Sequence, residues 1–344
     1  MGTRRRRVSV IYFISKLLKW DDLRMEIFTN VTEEVIRKAA KALKDGHLVA
    51  FPTETVYGLG ADATNKKAVG KVYSVKGRPS DHPLIVHIAS INRLDDWAVN
   101  IPDYAVNLAK EFWPGPMTMI LKRNNLAKDF ITGGQNLVGL RIPNQPTALA
   151  LLNEFEKLGG KGIAAPSANR FGAVSPTTVN AVKEELEDFL KQEDLILDGG
   201  QCLIGIESTI INCSEITPSV LRSGSITNEM IEKICDLDNS TNTERTEIRA
   251  PGALQSHYSP NAKVVLDSVA KSGEGFIAMA DIPTPSGVIR LASPNSIKEF
   301  ARDFYTALRL GDTKKLTKVV VFLPEGDGLA VAIRDRATKA SAGK

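Results

Sequence analysis

AFPTETVYGLGADATNKKAVGKVYSVKGRPSDHPLIVH, residues 50–87, decides how this chain is read. The apolar run at 48–51 ends at Pro52 and passes into Thr53, Glu54 and Thr55. Residues 58–61 are small and read as a turn. A helix follows at 66–75, with Ala68, Val72 and Val75 on one face, and Gly77 is placed to stop it. That helix delivers two long cations, Lys76 and Arg78, at its C-terminal end. Pro79 then forces an extended exit, and 84–88 read as a second buried strand carrying His87. Hydroxyls at a strand end facing cations at a loop describe a socket for an anionic ligand. The plainer alternative is a solvated loop whose cations cap a helix dipole.

On the N-terminal side, Asn30 and Glu33 have the spacing of a capping box. Val31, Val35, Ala39 and Leu43 recur at helical intervals until Gly46. Beyond His87 the pattern predicts helices at 91–97, 103–112 and 147–158, with a further one opening near Thr177. Strands are predicted at 117–121, 137–142, 163–165, 195–198, 208–212 and 219–222. Mixed strands and helices joined by short loops indicate an α/β protein with helices covering a sheet. Residues 236–250 are polar and aperiodic, as in a linker. A second small α/β unit begins near Ala262, with strands at 263–266, 276–280, 288–291 and 318–323 and helices at 297–309 and 328–340. The expected organisation is an extension (1–24), a main unit (25–235), a linker with an active-site loop (236–261) and a C-terminal unit (262–344).

Charge narrows the partner classes. The 344 residues hold 44 Lys and Arg against 40 Asp and Glu. Residues 1–24 take seven of the basic and two of the acidic side chains, which leaves 37 against 38 in the rest. A broad polyanion-binding face gets no support from this balance, and any basic function is local. Three dispersed cysteines argue against a disulfide framework or zinc site, in keeping with the cytoplasm. No apolar run approaches bilayer length. The opening RRRR and VSVIYFI mimic a signal sequence without its cleavage site, so 1–24 is read as a disordered extension or a mis-called start.

Later segments supply further candidates. Arg141 lies in a buried-looking strand, where it needs an anion, whether a ligand carboxylate or an internal Asp or Glu. Ser167 and Asn169, in PSAN, follow a strand end, where they either bind ligand or make a turn. Ser175 either caps a helix or reaches phosphate. No G-x-S-x-G, P-loop or metal-binding cluster is present, so positioning and charge stabilisation fit the inventory better than covalent catalysis.

Together PTETVYGLG, KGRP, HPL, PSAN and STII resemble the YrdC-like family, in particular its two-domain threonylcarbamoyl-adenylate synthases, over roughly residues 25–234. The resemblance implies a YrdC-like twisted mixed sheet with a small Rossmann-like C-terminal domain. It also implies condensation of L-threonine, bicarbonate and ATP, with Mg2+ accompanying the nucleotide and no permanent metal. The product would pass to a separate tRNA threonylcarbamoyltransferase, with direct tRNA binding weak or absent. By the same resemblance Lys76, Arg78, Ser167 and Asn169 are catalytic, while Lys76, Arg78, His82, Asn169, Ser175, Arg222 and His257 bind ATP. Thr53, Thr55, His87, Arg141, Ser167 and Ser208 are the threonine set, and HYSP (257–260) would lie over the site. Two rival readings are an RNA-binding module using the same basic socket and a carbamoyl-transfer enzyme of the hydrogenase-maturation type. The latter carries zinc-finger C-x-x-C pairs that this chain lacks.

Overall fold

Side chains along the first buried run alternate in direction. Leu48 and Ala50 pack into one core, and Val49 and Phe51 into another. A strand that buries both faces needs helices on both sides, and the computed structural model has them. The structure describes residues 25–238, 248–252 and 257–343. Expectations for 1–24, and for parts of the linker and active-site loop, lie outside the described residues.

The large sheet contains β1 (Glu26–Phe28), β2 (Val49–Phe51), β3 (Gly58–Asp62), β4 (Ile85–His87), β5 (Met117–Lys122) and β6 (Leu137–Arg141). It continues with β7 (Ile163–Ala164), β8 (Leu195–Leu197), β9 (Thr209–Asn212) and β10 (Ser219–Arg222). Their spatial order is β1-β8-β2-β3-β7-β4-β6-β5-β9-β10, with parallel and antiparallel pairs mixed. Helices α1 (Glu33–Lys44) and α4 (Pro146–Lys157) cover the face that buries Phe51. Helices α2 (Lys66–Lys76), α3 (Asp103–Phe112) and α5 (Val179–Leu186) cover the other. A second, all-parallel sheet has the order β11 (Lys263–Leu266), β14 (Lys318–Val321), β12 (Gly275–Ile277), β13 (Ile289–Ala292). It packs with α6 (Ile297–Thr313) and α7 (Leu329–Ser341).

Three local expectations are corrected. Thr32, not Asn30, caps α1, accepting from the Val35 amide. Residues 58–61 are not a turn but most of β3, antiparallel to both β2 and β7. Gly60 lacks the side chain that would mark a strand because a Cβ there would lie 2.7 Å from Ile163 and 2.8 Å from Phe51. Ser175 caps no helix. That role falls to Thr178, which accepts from the Ala181 amide at the start of α5.

Candidate active site

The expected stop of the K-x-R helix is present: Gly77 ends α2 in the left-handed region at φ 62°. This turn sends Lys76 inward, where it is 2 % exposed. Its ammonium donates to the carbonyls of Ser167, at 2.6 Å, and Asn169. Burial first, and the neighbouring Arg78 second, hold Lys76 well below the usual ammonium range. Arg78 is also buried and pushed down to about 10, mainly by burial. Its Nη2 donates to the Pro83 carbonyl, and its guanidinium sits 5.7 Å from the Phe171 ring. Nε has no protein partner. Arg78 therefore has donors to offer a ligand, while Lys76 is shared with the loop it braces.

The S-x-N loop meets the start of β3 through a bridge between Gly58 and Ser167. Asn169 Nδ2 donates to the carbonyls of Arg170, at 2.7 Å, and Ala173, at 2.9 Å. These bonds fix the amide orientation, leaving Oδ1 buried and unpartnered. That oxygen can only accept, so its ligand atom is an O–H, an N–H or a cation rather than a phosphate oxygen.

On the other wall, His87 of β4 and Arg141 of β6 are register partners. Arg141 has an internal anion: Nη2 lies 2.8 Å from Glu54 Oε1, both side chains 5 % exposed. Nη1 donates to Thr55 Oγ1 at 3.0 Å and Nε to the Gly115 carbonyl at 3.3 Å. Thr53 Oγ1 mostly satisfies its own loop, donating to the Val56 carbonyl and accepting from the amides of Thr55 and Val56. Burial, helped by Arg141, drives His87 down to about 3, so the imidazole is neutral near pH 7, with Nδ1 unpartnered.

Ser208 precedes β9, its hydroxyl 2.8 Å from Thr118 Oγ1. Arg222, ending β10, donates twice to the Ser208 carbonyl, once to its hydroxyl and once to the Pro251 carbonyl. His257 sits 4.2 Å from Tyr258, ring to ring, and burial lowers it to about 3.

One cleft is lined by Thr53, Thr55, Lys76, Arg78, His87 and Arg141, and equally by Ser167, Asn169, Ser208, Arg222 and His257. Two expected residues stand outside it. His82 does not line it and packs on Phe171, 5.3 Å away ring to ring. Ser175 does not line it but donates to Glu207 Oε1 at 2.6 Å. Residue typing missed Phe171 and Glu207, which also line the cleft, as does Tyr258 of the HYSP segment. No group of three or more His, Cys, Asp or Glu that could hold a metal occurs among the described residues. Nor is any helix there long and apolar enough to cross a membrane.

Such a fold and cleft define an α/β protein built to hold a small ligand carrying both anionic and hydrogen-donating groups. Residues 41–224 match the Sua5/YciO/YrdC family model, described as telomere recombination, and residues 226–342 match the threonylcarbamoyl-AMP synthase C-terminal domain. The chain belongs to this family. It is 40 % identical to the threonylcarbamoyl-AMP synthase of Pyrococcus abyssi, over 92 % of this chain and 98 % of that protein. The Bacillus subtilis threonylcarbamoyl-AMP synthase is 36 % identical, over 92 % and 97 %. The crystal structure of P. abyssi Sua5 complexed with L-threonine superposes with a TM-score of 0.81 at 35 % identity, covering 92 % of this chain and 97 % of that one.

Proposed function

We propose that the chain is a threonylcarbamoyl-AMP synthase, converting L-threonine, bicarbonate and ATP to threonylcarbamoyl-AMP and pyrophosphate. The observation that carries this reading is the meeting of the K-x-R helix end, the S-x-N loop and the Thr–Arg–His wall in one cleft. The threonine amine attacks the carbon of CO2 drawn from bicarbonate, forming the N–C bond and shedding a proton. A carboxylate oxygen of that adduct then attacks the α-phosphorus of ATP, and the bond to pyrophosphate breaks with the electron pair leaving on pyrophosphate. Such a displacement needs positioning and charge neutralisation rather than a protein nucleophile.

Arg78, with donors to spare, meets the phosphates, and Lys76 supports it while fixing the S-x-N loop. Asn169 Oδ1 accepts from a hydroxyl or amine of the ligand. Thr55, His87, Ser167 and Ser208 face the amino acid. Arg141, already paired with Glu54, orders that wall and offers its charge at longer range. Mg2+ would arrive with the nucleotide, while Glu54 lies against Arg141 and Glu207 against Arg336. Residues 25–235 form the catalytic unit, 236–261 the linker and site loop, and 262–344 the C-terminal unit. The enzyme acts in the cytoplasm and releases its product to a tRNA-modifying transferase.

The test is incubation with ATP, threonine and labelled bicarbonate. Threonine-dependent pyrophosphate release with label in an adenylate is expected. Its absence, with salt-sensitive RNA binding instead, would favour an RNA-binding module.

A further inference from the structure

The C-terminal unit reaches the cleft through one buried cluster. Arg336 of α7 has no exposed surface and places Nε 2.9 Å from Glu207 Oε2. Tyr305 of α6 donates its hydroxyl to the same oxygen at 2.9 Å, while Ser175 holds Oε1. Arg336 Nη2 donates to the Ser223 carbonyl at 3.0 Å, one residue beyond Arg222. The Glu207 carboxyl is brought down to about 2: burial alone would raise it, but Arg336, Arg222 and Ser175 outweigh that cost.

The same guanidinium lies 5.6 Å from the Tyr258 ring, which also packs on Tyr305. Tyr258 sits at φ 62°, an unfavourable conformation for an aromatic residue, which persists where the surroundings over-determine it. His257, beside it, is tied to α7 through its amide and the Lys339 carbonyl, at 3.3 Å. The apolar core of the C-terminal unit takes in Val56, Val174, Ile206 and Tyr258 from around the cleft.

We infer that Arg336 and Tyr305 are positioning residues of the cleft, acting through Glu207 on the Ser208–Arg222 pair and through Tyr258 on His257. The C-terminal unit is thus the rear wall of the site rather than an independent appendage. Three protein donors, from Ser175, Tyr305 and Arg336, fix the Glu207 carboxylate at the cleft wall. The inference rests on the synthase reading for its kinetic test only.

The experiment compares full-length wild type with Tyr305→Phe and Arg336→Lys. Tyr305→Phe deletes one hydroxyl and keeps the ring, so it decides the matter if Arg336→Lys does not fold. With folding verified by circular dichroism, KM for ATP and threonine should rise at least fivefold. A merely structural role would lower the active fraction, and so kcat, and leave KM unmoved. Amide exchange of peptides covering 204–209 and 222–226, measured without substrate, should quicken in both folded variants. Wild-type KM together with wild-type exchange overturns the inference. If the wild type itself shows no turnover, the synthase reading falls and the exchange comparison alone judges the positioning claim.

Discussion

The Lys76 ammonium lies 2.6 Å from the Ser167 carbonyl, so the K-x-R helix end and the S-x-N loop are one mechanical unit. Lys76→Ala should therefore lose at least tenfold in threonine-dependent pyrophosphate release, about 1.4 kcal/mol. Lys76→Arg should not restore it, because a planar guanidinium is a poor substitute for an ammonium fully enclosed between two carbonyls. Steady-state rates check both variants, and a wild-type rate in the alanine variant refutes the coupling.

Arg141 is the partner of a buried carboxylate. Arg141→Ala would leave the buried Glu54 carboxyl without its partner and should cost about 3–5 kcal/mol of stability. Urea unfolding measures this, and a loss below about 1 kcal/mol would contradict the pairing.

Two buried histidines make the fold acid-sensitive. His87 and His257 are both lowered from 6.5 to about 3, so the unfolded chain takes up protons below pH 6.5 that the folded imidazoles refuse. Stability is whole above pH 6.5 and falls progressively toward pH 3. His87→Asn should flatten the acid limb near pH 5 by about 1.4 kcal/mol per pH unit. Thermal or urea midpoints across pH 4–7 read the slope, which must change for the assignment to stand.

Gly60→Val tests the corrected strand. Its side chain would enter the space held by Ile163 and Phe51, and overpacking of this kind costs about 1–3 kcal/mol. Chemical denaturation checks the loss. A neutral outcome would mean that β3 and β7 part more easily than their pairing implies.

Local chemistry made much of the architecture legible. Asp103–Phe112 is a helix with the bounds its periodicity predicts, and Lys263–Leu266 and Ser219–Arg222 are strands as expected. Gly77 stops α2 because only a residue without Cβ enters the left-handed region cheaply. The β3 strand was illegible because its glycines are selected by close approach of neighbouring strands, which no local pattern carries. The cap on α1 moved by two residues for a similar reason, since several hydroxyl and amide side chains stood in line for one role.

The sequence by itself determined the mixed α/β class, the small C-terminal α/β unit and the residue types available for chemistry. Periodicity, stop signals and side-chain inventory are local properties written in the order of residues. Only the tertiary structure decided which candidates have capacity left for a ligand. Arg141 was already ion-paired with Glu54 and Ser175 bonded to Glu207, whereas Arg78 Nε and Asn169 Oδ1, like Arg141 Nη2, were left without hydrogen-bond partners. A buried polar group takes whichever partner the fold brings within about 3 Å. Those partners come from distant parts of the chain, as Glu207 and Arg336 do, and no spacing along the sequence announces them.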